Sequence, residues 1–356
     1  MSSPAALPRP RHAPPIVLIG AGGIVRDAHL PAYRKAGFTV ASIFDIVADR
    51  AQSAAGAFGI GCVPSSLDDA IRGAPAQAIF DIATPPSAFL EVLSRVPEAS
   101  GVLIQKPMGE NLAHARQIRD LCRARRLKAA VCFQLRFAPA MRAARNLITQ
   151  GAIGDLHDME VRVTVYTPWH LWTFLESSPR VEILHHSVHY LDLMRSFLGD
   201  PRAVYAKTVK HPKFAKLAST RTNIIMDYGD MVRANITANH GHEYGLRHQE
   251  SYVKWEGTKG AIRTRLGLLM DYPKGVPDRF EYCILGPGAA PEWEQLELEG
   301  SWFPDAFIGM MASLMCFLEG SAAELPTSVE DAYKTMALVE AAYASNDSGG
   351  TKVSYD

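Results

Sequence analysis

Ile16-Val17-Leu18-Ile19-Gly20-Ala21-Gly22-Gly23-Ile24 decides the fold, together with Asp45 at the end of a second apolar run over residues 39–44. Four apolar residues run into a glycine turn. A helix-like segment follows, and the second run closes on a carboxylate. That order predicts a βαβ unit that holds a dinucleotide. Gly20 allows the tight turn. Gly22 and Gly23 let the backbone approach a pyrophosphate at a helix N-terminus that includes Ile24, where N–H groups have no partner of their own. Asp45 sits about 20 residues beyond the turn, where it can accept hydrogen bonds from the adenosine ribose hydroxyls. The same carboxylate repels a ribose phosphate, so NAD is expected rather than NADP. Val25 occupies the position where a third glycine usually allows close helix–strand packing, and valine needs more room.

Outward from this unit, apolar runs at 16–19, 40–44, 78–82, 101–104 and 129–133 alternate with helical stretches at 31–36, 47–58 and 111–125. Such alternation predicts a parallel sheet covered on both faces. Ligands of these sheets bind beyond the carboxyl ends of the strands. The segments to inspect are therefore 20–24, Asp45, Thr84-Pro85-Pro86, Gln105-Lys106-Pro107 and Gln134-Leu135-Arg136. The predicted nucleotide domain covers 16–137.

From 138 the style changes. A helix is predicted over 140–150, then a strand in which Met159, Val161, Val163 and Val165 alternate with polar positions. A helix over 183–198 stops at Gly199-Asp200-Pro201. Strands follow at 203–207, 222–228, 231–239, 250–256 and 260–264, with a hairpin turn at Tyr228-Gly229-Asp230. Helices return at 305–318 and 329–345. The fold class is thus α/β in the first half, with an α+β second domain (138–356) built on a large, mostly antiparallel open sheet. Residues 1–15 hold five prolines and three basic residues and are expected to be a mobile tail.

Composition narrows the function. With 356 residues, two domains are the natural expectation. Thirty-seven basic residues balance 37 acidic ones, which gives no electrostatic reason to expect a nucleic-acid or membrane partner. Five scattered cysteines with no Cys-x-x-Cys pair fit a reduced, cytoplasmic setting. There is no apolar run of about 18 residues, so no membrane span is expected.

Six stretches occur in an order that resembles the Gfo/Idh/MocA oxidoreductases. They are Ile19-Gly20-Ala21-Gly22-Gly23-Ile24, Thr84-Pro85-Pro86, Gln105-Lys106-Pro107-Met108, Phe133-Gln134-Leu135-Arg136-Phe137-Ala138-Pro139, Val188-His189-Tyr190-Leu191-Asp192-Leu193 and Ser328-Val329-Glu330-Asp331-Ala332. The resemblance implies a Rossmann domain and a second domain with an open sheet, through which members commonly form homodimers or homotetramers. It implies NAD(P)-dependent chemistry on sugars, inositols or related polyols.

Lys106 follows a buried strand and precedes Pro107, so it is expected at the cleft mouth. There its amine can polarise the reacting oxygen and move its proton, with a pKa lowered by burial. The resemblance makes it the catalytic lysine of a Glu-Lys-Pro motif, with Gln105 in place of the glutamate. A neutral amide cannot pair electrostatically with the lysine. On one helix, Glu182, His185 and His189 share a face, with His186 at its edge. The resemblance places His189 on the family's catalytic histidine, and His185 where many members carry aspartate. Glu182, His185, His186 and His189, with His170, His240 and His242, have the chemistry to bind zinc. Lysine and histidine already supply the acid–base groups, so no metal is expected.

Trp169, His170 and Trp172 are expected in a loop facing substrate, since tryptophans stack on sugar faces. Arg136, Asp192, His240 and His242 complete the substrate candidates. Each has a packing alternative, and Phe89 is assigned to packing alone. Cofactor contacts are expected from Gly20, Gly22, Gly23, Ile24, Asp45, Thr84, Pro85, Lys106 and Gln134. The expected reaction moves a hydride between nicotinamide and a secondary hydroxyl or ketone of a sugar, glycoside or cyclic polyol. Two alternatives stay open. One is an enzyme that uses tightly bound NAD transiently, for epimerisation, elimination or glycoside cleavage through a keto intermediate. The other is a dinucleotide-sensing regulator without turnover.

Overall fold

The computed structural model describes residues 7–272, 274–288 and 290–354. Its first half carries strands β1 (Ile16–Ile19), β2 (Val40–Phe44), β3 (Ile79–Ile82), β4 (Gly101–Ile104) and β5 (Lys128–Val131), and helices α1 (Leu30–Ala36), α2 (Ala48–Phe58), α3 (Leu67–Arg72), α4 (Phe89–Arg95) and α5 (Leu112–Ala124). The five strands lie in the order β2-β1-β3-β4-β5, every pair parallel. Strands β1, β3 and β4 are buried at every residue, which is why β1 and β4 read as unbroken apolar runs and β3 is interrupted only by Asp81. The chain leaves β1 toward β2 on one side and returns to β3 on the other. That reversal is the topological switch point where such sheets bind ligands.

Local chemistry sets the helix starts. The Asn111 side chain accepts the His114 N–H at 2.9 Å and caps α5. Ser66 accepts the Asp69 N–H at 3.0 Å and caps α3. Each such cap contributes about 1 kcal/mol. Helices α3 and α4 are too short to show a clear period and are absent from the sequence reading.

The second half adds α6 (Pro139–Thr149), β6 (Leu156–Thr164), α7 (Val188–Leu198), β7 (Ala203–Val209), β8 (Arg221–Asp227), β9 (Arg233–Asn239), β10 (Glu250–Gly257), β11 (Gly260–Arg265), β12 (Arg279–Ile284), β13 (Glu294–Leu296), α8 (Asp305–Leu318) and α9 (Val329–Ser348). Eight strands form one sheet, β13-β12-β11-β10-β6-β9-β8-β7, antiparallel except where β6 meets β9. Its inner face is built by alternation: Met159, Val161 and Val163 on β6, Ala234, Ile236 and Ala238 on β9, and Val253 and Trp255 on β10. Phe197 of α7 meets the Trp255 ring at 5.2 Å, and the Arg145 guanidinium of α6 stacks on Phe197 at 4.1 Å. Glu160, Arg162, Asn235 and Thr237 project from the opposite, polar face.

The structure divides into two compact units, one running to Arg142 and including Gly300–Met336, the other comprising Ala143–Glu299 and the chain from Ala337 onward. This corrects the expectation that everything from 138 onward forms the second domain. Phe307, Met310, Met311, Leu314 and Met315 of α8 join the same core as Ile16, Leu18, Val25 and Leu30. A helix that is apolar nearly all round is buried wherever it docks, and its place along the chain does not say against which sheet.

The mobile tail is corrected in part. The N–H groups of Arg11 and His12 donate to the Glu319 carboxylate at 2.9 and 3.0 Å, and the Pro15 carbonyl accepts from Ile79 at 2.9 Å. Residues 7–15 are therefore pinned to the first unit. The rest of that prediction lies outside the described residues.

Candidate active site

The cofactor half is assembled at the carboxyl ends of β1 to β5. Gly20 has φ +109°, and a Cβ built there would lie 2.5 Å from the Ala83 carbonyl oxygen. No side chain fits, because the turn brings β1 against the segment leaving β3. Gly22 is different: a Cβ there would meet no protein atom within 4 Å. Packing does not require a glycine at 22, whereas close approach of a ligand does. Gly23 and Ile24 open the helix, so their N–H groups point outward without intrahelical partners. The next five residues, Val25–His29, form a π turn that runs directly into α1. The wider turn begins at Val25, which is fully buried, so the valine in the third glycine position is accommodated at the bulge.

Asp45 closes the loop from β2. Its Oδ2 accepts the Ala21 N–H at 2.7 Å and its Oδ1 accepts the Val47 N–H at 2.8 Å. Each oxygen retains a further lone pair for a ribose hydroxyl. Gln134, just past β5, is 3% exposed, and its Oε1 has no hydrogen-bond partner. A buried acceptor of this kind suits an amide or hydroxyl donor of a bound cofactor. Thr84 is half-buried and Pro85 exposed in the turn after β3. Open space at Gly22, outward N–H groups, a carboxylate with spare lone pairs and one orphaned acceptor fit a dinucleotide.

Lys106 follows β4 and is half-buried. Burial lowers its pKa to about 8, and the nearby Cys132 opposes that shift. Its main chain is held by Gln105, whose Oε1 accepts the Lys106 N–H at 2.8 Å. The Gln105 Nε2 lies 3.0 Å from His29 Nε2 on the π turn. His29 Nδ1 lies 2.7 Å from Asp81 Oδ2 of β3, which also accepts the Tyr33 hydroxyl at 2.6 Å. His29 and Asp81 are fully buried. His29 and Asp81 went unnoticed in the sequence because both read as ordinary members of a helix and a strand.

The second unit holds the histidines. The chain enters α7 through a π turn at Ile183–Ser187. The segment is helical throughout 183–198 as expected, but the π turn corrects the shared face of Glu182, His185 and His189. A π turn re-phases the side chains, so Glu182 meets the residue five positions on: the Ser187 hydroxyl donates to its Oε1 at 2.8 Å. Glu182 is fully buried, with His240 Nε2 at 3.4 Å from the same oxygen. The Thr167 hydroxyl lies 2.9 Å from His240 Nδ1. His186 lies against the His240 ring at 4.5 Å. His185 is half-buried, edge-on to Phe174. His189 stands in the first turn of α7 and retains 7% exposure.

Four substrate candidates are buried or bonded to groups of the protein itself. Trp169 packs edge-on against His186 and His240 in a small core with Leu175, Val181 and Leu217. His240 is 1% exposed and belongs to the Glu182 network. Asp192 is also 1% exposed, in a stretch of α7 that is buried from Val188 to Arg195. Arg136 donates to the Pro326 carbonyl at 2.8 Å and to Asp331 at 2.6 Å, which makes it a brace within the first unit. The expected loop at 167–172 is in fact the start of a short helical segment, Trp169–Ser177, kinked at Trp172. His170 on it is exposed, and Trp172 is half-buried against Tyr272. His242 is half-buried beside Tyr244. Phe89 is fully buried, as its packing assignment requires. Among the described residues, no three His, Cys, Asp or Glu side chains are arranged to hold a metal, and no helix is long and apolar enough to cross a membrane.

Fold and site together define an NAD-binding oxidoreductase. The chain belongs to the GFO/IDH/MocA family: residues 15–133 match the model for its NAD-binding Rossmann domain, and residues 141–263 match a model for its C-terminal domain. It is 30% identical to a 1,5-anhydro-D-fructose reductase of Ensifer adhaerens over 189 residues, 52% of this chain and 57% of that reductase. It is 24% identical to a D-apiose dehydrogenase of Paraburkholderia graminis over 347 residues, 94% of this chain and 88% of that enzyme. The fold matches an Agrobacterium radiobacter oxidoreductase solved with NAD+, L-tartaric acid and magnesium, with TM-score 0.77, 22% identity, and 94% and 97% of the two chains covered.

Proposed function

We propose that this enzyme transfers a hydride between NAD and a secondary hydroxyl or ketone of a sugar, glycoside or cyclic polyol. The observation that carries the proposal is Lys106: a lysine with a pKa near 8 at the end of β4, tied through Gln105 and His29 to the helix that starts at the glycine loop. The named activities of its relatives, a sugar reductase and a sugar dehydrogenase, support the substrate class.

The N–H groups of Gly22, Gly23 and Ile24 would hold the pyrophosphate, Asp45 the adenosine ribose, and Thr84, Pro85 and Gln134 the nicotinamide end. Bound there, NAD would supply the hydride acceptor for the hydrogen on the carbinol carbon. Lys106 takes the hydroxyl proton, so that the C–O bond becomes a carbonyl. His189 is the second acid–base candidate, by its place in the motif at 188–193. His185, His170, Trp172 and His242 contact the substrate's other groups. A cytoplasmic homodimer or homotetramer working in carbohydrate metabolism completes the reading. Unpaired Cys62, Cys122, Cys132, Cys283 and Cys316 support the compartment. Exposed Tyr205 and Ile225, on neighbouring strands of the sheet's outer face, support the assembly.

The test is NADH formation with NAD, and with NADP as control, against sugars, glycosides, sugar acids and inositols. Lys106→Ala is expected to cut turnover at least about 100-fold, the scale of lost acid–base catalysis, while NAD affinity is kept. The sign of the pH dependence follows from the lysine. Its neutral amine accepts the proton, so oxidation should rise with pH and level off above about 8. Unchanged turnover in the mutant removes Lys106 from the reaction.

A further inference from the structure

Gln105 stands between a lysine on one side and a fully buried histidine–aspartate pair on the other. Its two ends are chemically distinct, and the contacts allow one assignment. The Lys106 N–H can only donate, so the atom 2.8 Å from it must be the Gln105 carbonyl oxygen. The amide nitrogen therefore faces His29 Nε2 at 3.0 Å. An amide nitrogen donates, so His29 Nε2 must carry its lone pair and the imidazole proton must sit on Nδ1. That N–H points at Asp81 Oδ2, 2.7 Å away, where the Tyr33 hydroxyl also donates. His29 is walled by the Phe307 ring at 4.8 Å and the edge of Tyr33. Protons thus run in one direction: Gln105 to His29, His29 to Asp81, Tyr33 to Asp81.

We propose that Gln105 and His29 are positioning residues for Lys106: the amide locks His29 as the neutral Nδ1–H tautomer and anchors the lysine main chain to it, so that Lys106 works beside an uncharged neighbour. This rests on the catalytic role given to Lys106 above. The titratable groups around the assembly are His29 and Tyr33 from the π turn and α1, Asp81 from β3 and Cys132 after β5. Burial and the Asp81 charge raise the Cys132 thiol, which keeps it neutral. A glutamate at 105 would reverse the proton inventory. One carboxylate oxygen would still accept the Lys106 N–H, but the other would face a lone pair on His29 Nε2. A proton must enter, either on His29, as an imidazolium between two carboxylates, or on the glutamate. The first outcome places a full negative charge next to Lys106 and favours its ammonium form.

Nitrogen NMR of 15N-histidine-labelled full-length protein tests the assignment, with the His29 signal identified by its loss in His29→Gln. In the native enzyme His29 should show the Nδ1–H tautomer at neutral pH. In Gln105→Glu the signal should become imidazolium, and the pH midpoint of sugar oxidation should rise by about one unit or more. Gln105→Asn keeps the amide but shortens it, and should lower kcat without moving the midpoint or KM. An Nε2–H tautomer or an imidazolium at neutral pH in the native enzyme overturns the inference. So does a Gln105→Glu profile that superimposes on the native one while the His29 signal has become imidazolium. If His29→Gln does not fold, the signal that changes form on Gln105→Glu supplies the identification, and the absence of any such signal counts against the proposal. Full activity in Lys106→Ala sinks the catalytic reading while leaving the His29 tautomer to be read independently.

Discussion

The glycine loop of the first unit and the histidine helix of the second were equally prominent in the sequence, and they fared differently. Around the loop, the residues named from strand ends stand at strand ends. Gly20, Asp45, Thr84, Lys106 and Gln134 follow β1 to β5 in turn. Around the helix, the named residues separate into an inner group, Glu182, His240 and Trp169, and a more accessible group, His185, His170, Trp172 and His242. The reason is geometric. In a parallel sheet the end of each strand is fixed by its neighbours, so a position in the sequence is a position in space. Around α7, one π turn shifts the phase of every residue before it, and helical spacing no longer names a face.

The largest effect is expected at Gly20. Gly20→Ala meets a carbonyl oxygen at 2.5 Å with φ +109°. Strain of this kind costs about 1–3 kcal/mol before the clash is counted. Destabilisation of at least about 3 kcal/mol and loss of NAD binding are expected, measured by chemical denaturation and calorimetric titration. A well-folded Gly20→Ala protein that binds NAD normally would show that the loop is less constrained than the strand ends imply.

His240 probes the other region. His240→Phe keeps a ring for Trp169 and His186 to pack on, but it leaves the Glu182 carboxylate buried beside an apolar edge. Losing the Thr167 hydrogen bond and the polar edge facing Glu182 costs about 1–3 kcal/mol. Stability should therefore fall while KM for the sugar holds. The reverse result, a raised KM at native stability, returns His240 to the substrate site and removes the distinction between the inner and accessible groups.

Much of the first unit was legible because its signals are local and stereochemical. The strand runs at 16–19, 40–44 and 101–104 match β1, β2 and β4 to the residue, and Asn111 marks the start of α5. The second sheet was legible in the alternation of β6 and the strands from β7 to β11. Strands β12 and β13 were missed: β12 breaks its alternation at Tyr282 and Cys283, and β13 is three residues long. What the sequence withheld is mostly pairing at long range. Asp81 reads as a polar residue in an apolar strand until His29, 52 positions away, is found beside it. Glu182 and His240 are separated as widely. The return of α8 to the first core is a fact of docking that no residue of α8 announces.

The smallest effect is expected at Arg136, the named residue of the first unit whose guanidinium is bonded to other groups of that unit. It lies in the right segment, directly after β5 and two residues from Gln134, yet its guanidinium turns to Pro326 and Asp331. With side chains 10% and 29% exposed, the pair is neither a solvated ion pair nor a fully buried one. Arg136→Gln should therefore cost about 1 kcal/mol, between the values for exposed and buried pairs. NAD affinity and KM should stay within about twofold of native, since no kilocalorie of binding is at stake. A tenfold rise in either constant would mean that a residue at a strand end serves the ligand even when its visible bonds are structural. The strand-end rule would then hold for Arg136 as it does for Lys106.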